Sequence, residues 1–164
     1  MVFTGLTDKV RVRELYERMG VGYLELYLRE SVEGYLSIVD GVSVRGVRVI
    51  DIGCGLGVGA GLLSGLASQY VCVDFACRIL QYPARLPNVD VLCSDGSMLP
   101  IRDSAFKVAI LLNVVNADTD GPQLIDEARR VSELVLAKSP RGVDNELIIR
   151  RLGGVNAFKR YWAA

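Results

Sequence analysis

Arg48–Ala60 reads RVIDIGCGLGVGA, an apolar run ending in Asp51, then glycines at alternate positions, then small residues. Alternating glycines suit a tight turn that leads from a strand into a helix. There the backbone can approach a ligand closely, and the helix N-terminus offers free N–H groups. Within this stretch Gly55-x-Gly57-x-x-Ala60 also satisfies a relaxed dinucleotide-binding pattern. Asp51 just before the glycines weighs against a phosphate ligand and suits a cationic group. Taken alone, Asp51 is equally readable as a turn-stabilising carboxylate.

Outward from this turn, short apolar runs alternate with amphipathic segments, the pattern of βαβ units around a parallel sheet. Strands are expected at Val47–Ile52, Gln69–Asp74, Val89–Ser94, Val108–Leu112 and Leu134–Lys138. Helices are expected at Val58–Leu66, Phe75–Tyr82, Pro122–Val131 and Asp144–Leu152, with Gly121-Pro122 as a helix start. The fold class is therefore α/β, a doubly wound and mostly parallel sheet, with 1–164 as one domain. Residues 1–42 form an N-terminal helical segment broken at Gly20-Val21-Gly22, 43–139 form the core, and 140–164 form a short C-terminal region. Ala157–Trp162 (AFKRYW) is a candidate antiparallel edge strand.

Three of the strands end in acids: Asp51, then Asp74 in YVCVDFA, then Asp95 in LCSDGSMLPIRDSAF. A carboxylate at the second position is spaced to grip ribose hydroxyls. One at the third can accept from an adenine amino group. From Val47 to Ser139 these features together resemble the class I S-adenosylmethionine-dependent methyltransferases, in which D-x-G-x-G-x-G is the cofactor turn, here Asp51-Ile52-Gly53-Cys54-Gly55-Leu56-Gly57. The resemblance implies S-adenosylmethionine as cofactor, with Asp51 near the methionine amino group and Gly53–Gly57 lining methionine and ribose. It also implies Asp74 with Phe75 at the ribose, Asp95 with the Gly96 amide at the adenine, and Asn113 facing the methionine. Lys107 departs from the acid that many relatives carry after the residue equivalent to Phe106, and Ser139–Ala164 is short for the family.

The 164 residues contain no histidine, which excludes a Ser-His-Asp triad, a Cys-His pair, His-ligated zinc or haem and an imidazole proton shuttle. No metal site is expected. Nineteen basic and 19 acidic residues balance, so nothing pulls the chain toward nucleic acid or anionic lipid. A small-molecule acceptor is expected, with RNA or protein acceptors as alternatives. The basic and aromatic cluster Arg150, Arg151, Phe158, Lys159, Arg160, Tyr161 and Trp162 reads as a solvated surface or an anion contact.

Ile52–Val73 carries no charge, a length that can span a bilayer, but its glycines argue for a turn and no membrane association is expected. Met1–Glu14 lacks the apolar core of a signal peptide, and a cytoplasmic location is expected. Cys54, Cys72, Cys77 and Cys93 form no C-x-x-C pair and are read as free thiols, with a Cys72–Cys93 bridge as the alternative.

Tyr16, Tyr23 and Tyr27 read as helix packing, or as a lid in which Tyr16 or Arg18 reaches the cofactor carboxylate. No catalytic base is evident among Asn113, Asn116, Asp118 and Asp120. The function implied is methyl transfer from S-adenosylmethionine. The rivals are a non-catalytic S-adenosylmethionine-binding module or partner-completed subunit, and an NAD(P)-dependent oxidoreductase.

Overall fold

The computed structural model describes residues 6–153. Two helices, α1 (Leu6–Met19) and α2 (Gly22–Ile38), precede the sheet and are separated at Gly20, whose φ of 48° breaks the helical path. The sheet comprises β1 (Arg48–Ile52), β2 (Gln69–Asp74), β3 (Val89–Cys93), β4 (Phe106–Leu112) and β5 (Ser132–Lys138). Helices α3 (Val58–Leu63), α4 (Gly121–Val131) and α5 (Gly142–Leu152) follow β1, β4 and β5. Strand order is β3-β2-β1-β4-β5 and every pairing is parallel. The order reverses between β1 and β4, so a crevice opens beyond the carboxyl ends of these two strands.

Parallel strands covered on both faces must be apolar on both faces, and β1 shows how this works. Val49 packs with Tyr35, Ile38, Leu63 and Ile110 on the side of α2 and α3. Its neighbours Ile50 and Ile52 point the other way, into a core with Leu124, Ile125, Ala128 and Ile148 from α4 and α5. Asp51 falls on the α2–α3 side by the same alternation and is wholly buried there. The uncharged stretch Ile52–Val73 thus becomes the end of β1, a turn, α3 and most of β2. Among the described residues no helix is long and apolar enough to cross a membrane.

Two expectations are corrected. The expected helix Phe75–Tyr82 is replaced by two 3-10 turns, Cys77–Gln81 and Pro83–Arg85. Asp74 Oδ1 accepts from the Ala76 amide at 2.9 Å, bending the chain as it leaves β2, and Pro83 has no N–H to continue a helix. The four cysteines are also not all free: Cys77 and Cys93 form a disulfide, while Cys54 and Cys72 are buried thiols. Cys72 pairs in register with Val91, two residues short of Cys93, whereas the turn after β2 brings the Cα of Cys77 within 5.1 Å of that of Cys93. The candidate edge strand at 157–162 and most of the basic and aromatic cluster lie outside the described residues; Arg151 within them pairs with Asp126 at 2.8 Å.

Candidate cofactor site

After β1 the chain must turn sharply and start α3 within a few residues. The turn is pinned to β2, since the amides of Gly53 and Cys54 both donate to the Val73 carbonyl, at 2.7 and 3.0 Å. Gly53, Gly55 and Gly57 all have positive φ, at 80°, 56° and 83°. A Cβ at Gly53 would lie 2.5 Å from Val114 Cγ2 and one at Gly57 2.6 Å from Pro83 Cβ, whereas at Gly55 it would meet open space. Gly55 therefore needs glycine for its backbone conformation alone. Gly55→Ala is expected to destabilise by about 1–2 kcal/mol, the cost of a left-handed alanine. Gly61 in α3 has no neighbour in the way. Gly61→Ala is expected to stabilise by about 0.5–1 kcal/mol. Urea midpoints of the two variants should move in opposite directions.

The loops after β1, β2, β3 and β4 converge on one cavity of about 630 Å³ at the switch point. Of the residues singled out from sequence, Gly53, Cys54, Gly55, Leu56, Asp74, Phe75, Asp95, Gly96 and Asn113 line it. Asp51 and Gly57 do not stand on its wall. Asp51 lies behind it, its Oδ2 accepting from the Tyr70 hydroxyl at 2.7 Å and the Tyr35 hydroxyl at 2.9 Å. Its Oδ1 is buried with no hydrogen-bond partner. Burial pushes the Asp51 carboxyl up to about 7 against the two tyrosine hydrogen bonds, with the Asp74 charge adding to the rise.

Asp74 is 8% exposed. Its Oδ2 accepts from the Gly55 amide at 3.0 Å and its Oδ1 from the Ala76 amide, so the carboxylate clasps the glycine turn. Burial raises its pKa and these amides oppose the rise. A carboxylate has about four acceptor positions, and two are taken, so acceptor capacity remains for a ligand. Asp95 sits in a more open place. Burial works against its charge, but hydrogen bonds from Lys9 at 2.7 Å and from Ser97 Oγ and N at 2.7 and 2.9 Å outweigh it and hold the carboxyl below its usual range. A Cβ at Gly96 would lie 2.5 Å from Ile52 Cγ2, so the chain after Asp95 runs against the core. Asn113, with φ of 58°, ends β4 and donates its amide to the Lys138 carbonyl at 2.8 Å.

Sequence reading missed several contributors. Lys9 of α1 reaches across the cavity to pair with both Asp95, at 2.7 Å, and Asp120, at 2.6 Å. No helical pattern marks one lysine out for such long-range pairing. Tyr35, also not foreseen, lines the cavity beside Tyr16 and Tyr23 of the expected lid segment, whose ring centroids are 5.4 Å apart; Arg18 does not line it. Burial, followed by the nearness of Tyr23 and Asp74, pushes the Tyr16 phenol up to about 12, so it stays neutral near neutral pH. Behind the β4 loop, buried Asp144 accepts from the Ala117 amide and the Ser139 hydroxyl, both at 2.8 Å. Asn145 closes a pair of hydrogen bonds with the Ser139 backbone. The DN pair in SPRGVDN was the available signal, as a side-chain-bonded turn.

The β3–β4 loop contains no helix and is held from α4. Arg130 donates to the carbonyls of Ile101 and Leu99 at 2.7 and 3.0 Å, and Glu127 accepts from the Leu99 amide at 2.8 Å. Cys54 is an unpromising nucleophile, because burial pushes its thiol well above the ordinary range.

Comparison with known proteins gives the family. A family model described as "Methyltransferase domain" matches residues 50–133, just over half of the chain. A Mycobacterium tuberculosis protein named "Probable S-adenosylmethionine-dependent methyltransferase" is 28% identical over 99 residues, covering 58% of this chain and 36% of its own length. A Mycolicibacterium smegmatis relative of similar name is 30% identical over 99 residues, again covering 60% of this chain and 36% of its own. The chain thus spans little more than a third of the length of these curated relatives. Among solved structures, a SAM-dependent methyltransferase of Thermotoga maritima superposes with a TM-score of 0.65 at 19% identity, covering 85% of this chain and 79% of its own. One from Aquifex aeolicus gives 0.61 at 18% identity, covering 86% and 87%. The match spans the glycine turn, Asp51, Asp74 and Asp95 and most of the 3-2-1-4-5 sheet, and the chain belongs to the class I S-adenosylmethionine-dependent methyltransferase family.

Proposed function

We propose that this protein transfers the methyl group of S-adenosylmethionine to a small-molecule acceptor that is neutral or cationic. The observation that carries the reading is the convergence of four strand-end loops, with Asp74, Asp95 and the Gly53–Leu56 turn, on a single cavity. The donor set fits the cofactor. Asp74 keeps acceptor positions for ribose hydroxyls, Asp95 with the Gly96 amide offers an acceptor and a donor for adenine, and Gly55 exposes bare backbone to the cavity. Asp51, behind the wall, leaves its Oδ1 without a hydrogen-bond partner, and a positive group nearby would favour its ionised form over the protonated one that burial favours.

When bound, S-adenosylmethionine supplies an electrophilic methyl group on a sulfonium. The chain's part is to align the acceptor and to exclude water, an effect worth up to roughly 7–11 kcal/mol. Helices α1 and α2 cover the cavity with Val12, Tyr16, Tyr23, Leu24 and Tyr35, and Asn113 and Asn116 offer polar contacts from the β4 side. Among the described lining residues four carboxylates, Asp74, Asp95, Asp118 and Asp120, face one cation, Lys9. Lys9 is already paired twice. Asp118 pairs with Arg141, outside the lining, at 2.6 Å, so the four carboxylates share two cations and acidic charge remains in excess. An anionic acceptor would meet that excess, whereas an amine would find acids and tyrosine faces. The same charge balance favours a small molecule over the phosphates of RNA. The reading takes the chain as one domain built on a shared sheet and places it in the cytoplasm with its cofactor.

Incubation with methyl-labelled S-adenosylmethionine and a panel of small acceptors tests this. Label is expected in amines or neutral nucleophiles and not in phosphorylated or carboxylated ones. Preferential labelling of the anionic set would overturn the acceptor assignment.

A further inference from the structure

Cys93 is the last residue of β3 and pairs in register with Asp74, the last residue of β2. Beyond that pair the two chains part, joined by one more backbone hydrogen bond, from the Ser94 amide to the Asp74 carbonyl at 3.1 Å. Asp74 and Phe75 then line the cavity from one side, and Ser94, Asp95 and Gly96 from the other. The Cys77–Cys93 disulfide sits where these segments diverge, three residues past Asp74 and two before Asp95. β3 is an edge strand of the described sheet, with Asp90, Val91 and Cys93 exposed, so β2 is its only strand neighbour there and the bridge adds a second tie between the two ends. Both bridged cysteines are exposed, whereas the free Cys54 and Cys72 are buried.

We propose that Cys77 and Cys93 are positioning residues for the cofactor: their disulfide holds the Asp74 and Asp95 loops in the binding arrangement, and its reduction lowers cofactor affinity. This rests on the cofactor reading above. A ligand that needs both loops in fixed places binds more weakly when they must be ordered first. The reductant is a dithiol. It gives two electrons and two protons, the S–S bond breaks, two thiols form, and the dithiol closes to its own disulfide. Re-forming the bond takes an oxidised dithiol, a disulfide, which accepts the two electrons and two protons as the Cys77 and Cys93 thiols join.

Thiol titration of denatured protein without reductant is expected to find two free groups, rising to four after dithiothreitol. Calorimetric titration with S-adenosylhomocysteine is expected to show Kd at least about fivefold higher for reduced protein, the lower end of usual coupling between sites. Cys77→Ser should match the reduced protein and ignore dithiothreitol, and reoxidised wild-type protein should recover the original Kd. In steady-state assays KM for S-adenosylmethionine should rise with kcat unchanged. A bridge serving stability alone would lower the melting temperature without moving Kd or KM at temperatures where the protein stays folded. Equal Kd in the oxidised and reduced forms, or four free thiols before reduction, would overturn this inference alone. Absence of binding in both forms would overturn the cofactor reading and this inference with it.

Discussion

Asp74→Ala is expected to weaken S-adenosylhomocysteine binding by about 1.5–3 kcal/mol, roughly 10- to 150-fold, the scale of a hydrogen bond to a charged group. The magnitude follows from how the side chain is held. The carboxylate is fixed by the amides of Gly55 and Ala76, at 3.0 and 2.9 Å, so it pays little ordering entropy when a ligand's hydroxyls arrive. Removing it also frees the two amides, one of them in the glycine turn. Asp90 supplies the control. It lies on the exposed side of β3, accepting from Gln69 at 2.7 Å, and does not line the cavity. Asp90→Ala should bind with wild-type affinity. If Asp74→Ala also binds with wild-type affinity, Asp74 has no ribose role.

The second large effect is on stability. Asp51 is wholly buried and its pKa is pushed from 3.8 to about 7. Between those values the folded protein keeps a proton that the unfolded chain has released. The Asp51 contribution is therefore fully present below about pH 4 and lost as pH rises to about 7. Its size, at about 1.4 kcal/mol per pH unit, is about 4 kcal/mol. Other acids act the opposite way. Arg130 holds Glu127 below its usual range and Lys9 and Ser97 do so for Asp95, so these groups lose stability as pH falls. The Asp51 part is isolated by comparing urea unfolding of wild type with Asp51→Asn, which cannot titrate. From pH 4 to 7 the wild type should lose a few kcal/mol relative to the variant. Parallel profiles would show that Asp51 does not change its ionisation on folding.

Much of this architecture was legible in the chain. The five strands fall within two residues of expectation because each is a short, largely apolar run that stops at a turn-forming residue: Gly53, Asp74, Ser94-Asp95, Asn113 or Ser139-Pro140. In β1 the alternation of Val49 and Asp51 with Ile50 and Ile52 matches the two cores it divides. The helix expected after β2 failed for a local reason, since side-chain capture of the Ala76 amide and the lack of an N–H at Pro83 outweigh the apolar spacing of Ile79 and Leu80. The disulfide was misjudged because bridging depends on where the turn places Cys77, which spacing does not reveal. At the site, motif positions Asp74, Asp95 and Asn113 were readable because strand ends converge in any sheet of this order. Lys9, Tyr35, Tyr70 and Asp144 were not. Each acts on a group distant in sequence, and Lys9 is 86 residues from Asp95.

The central claim is that the cavity at the switch point holds S-adenosylmethionine. Its most direct test is calorimetric titration of the unmodified, oxidised protein with S-adenosylhomocysteine, beside a titration with reduced nicotinamide dinucleotide. The account predicts saturable one-to-one binding of S-adenosylhomocysteine and no heat of binding from the dinucleotide. No binding of S-adenosylhomocysteine at millimolar concentration would contradict it.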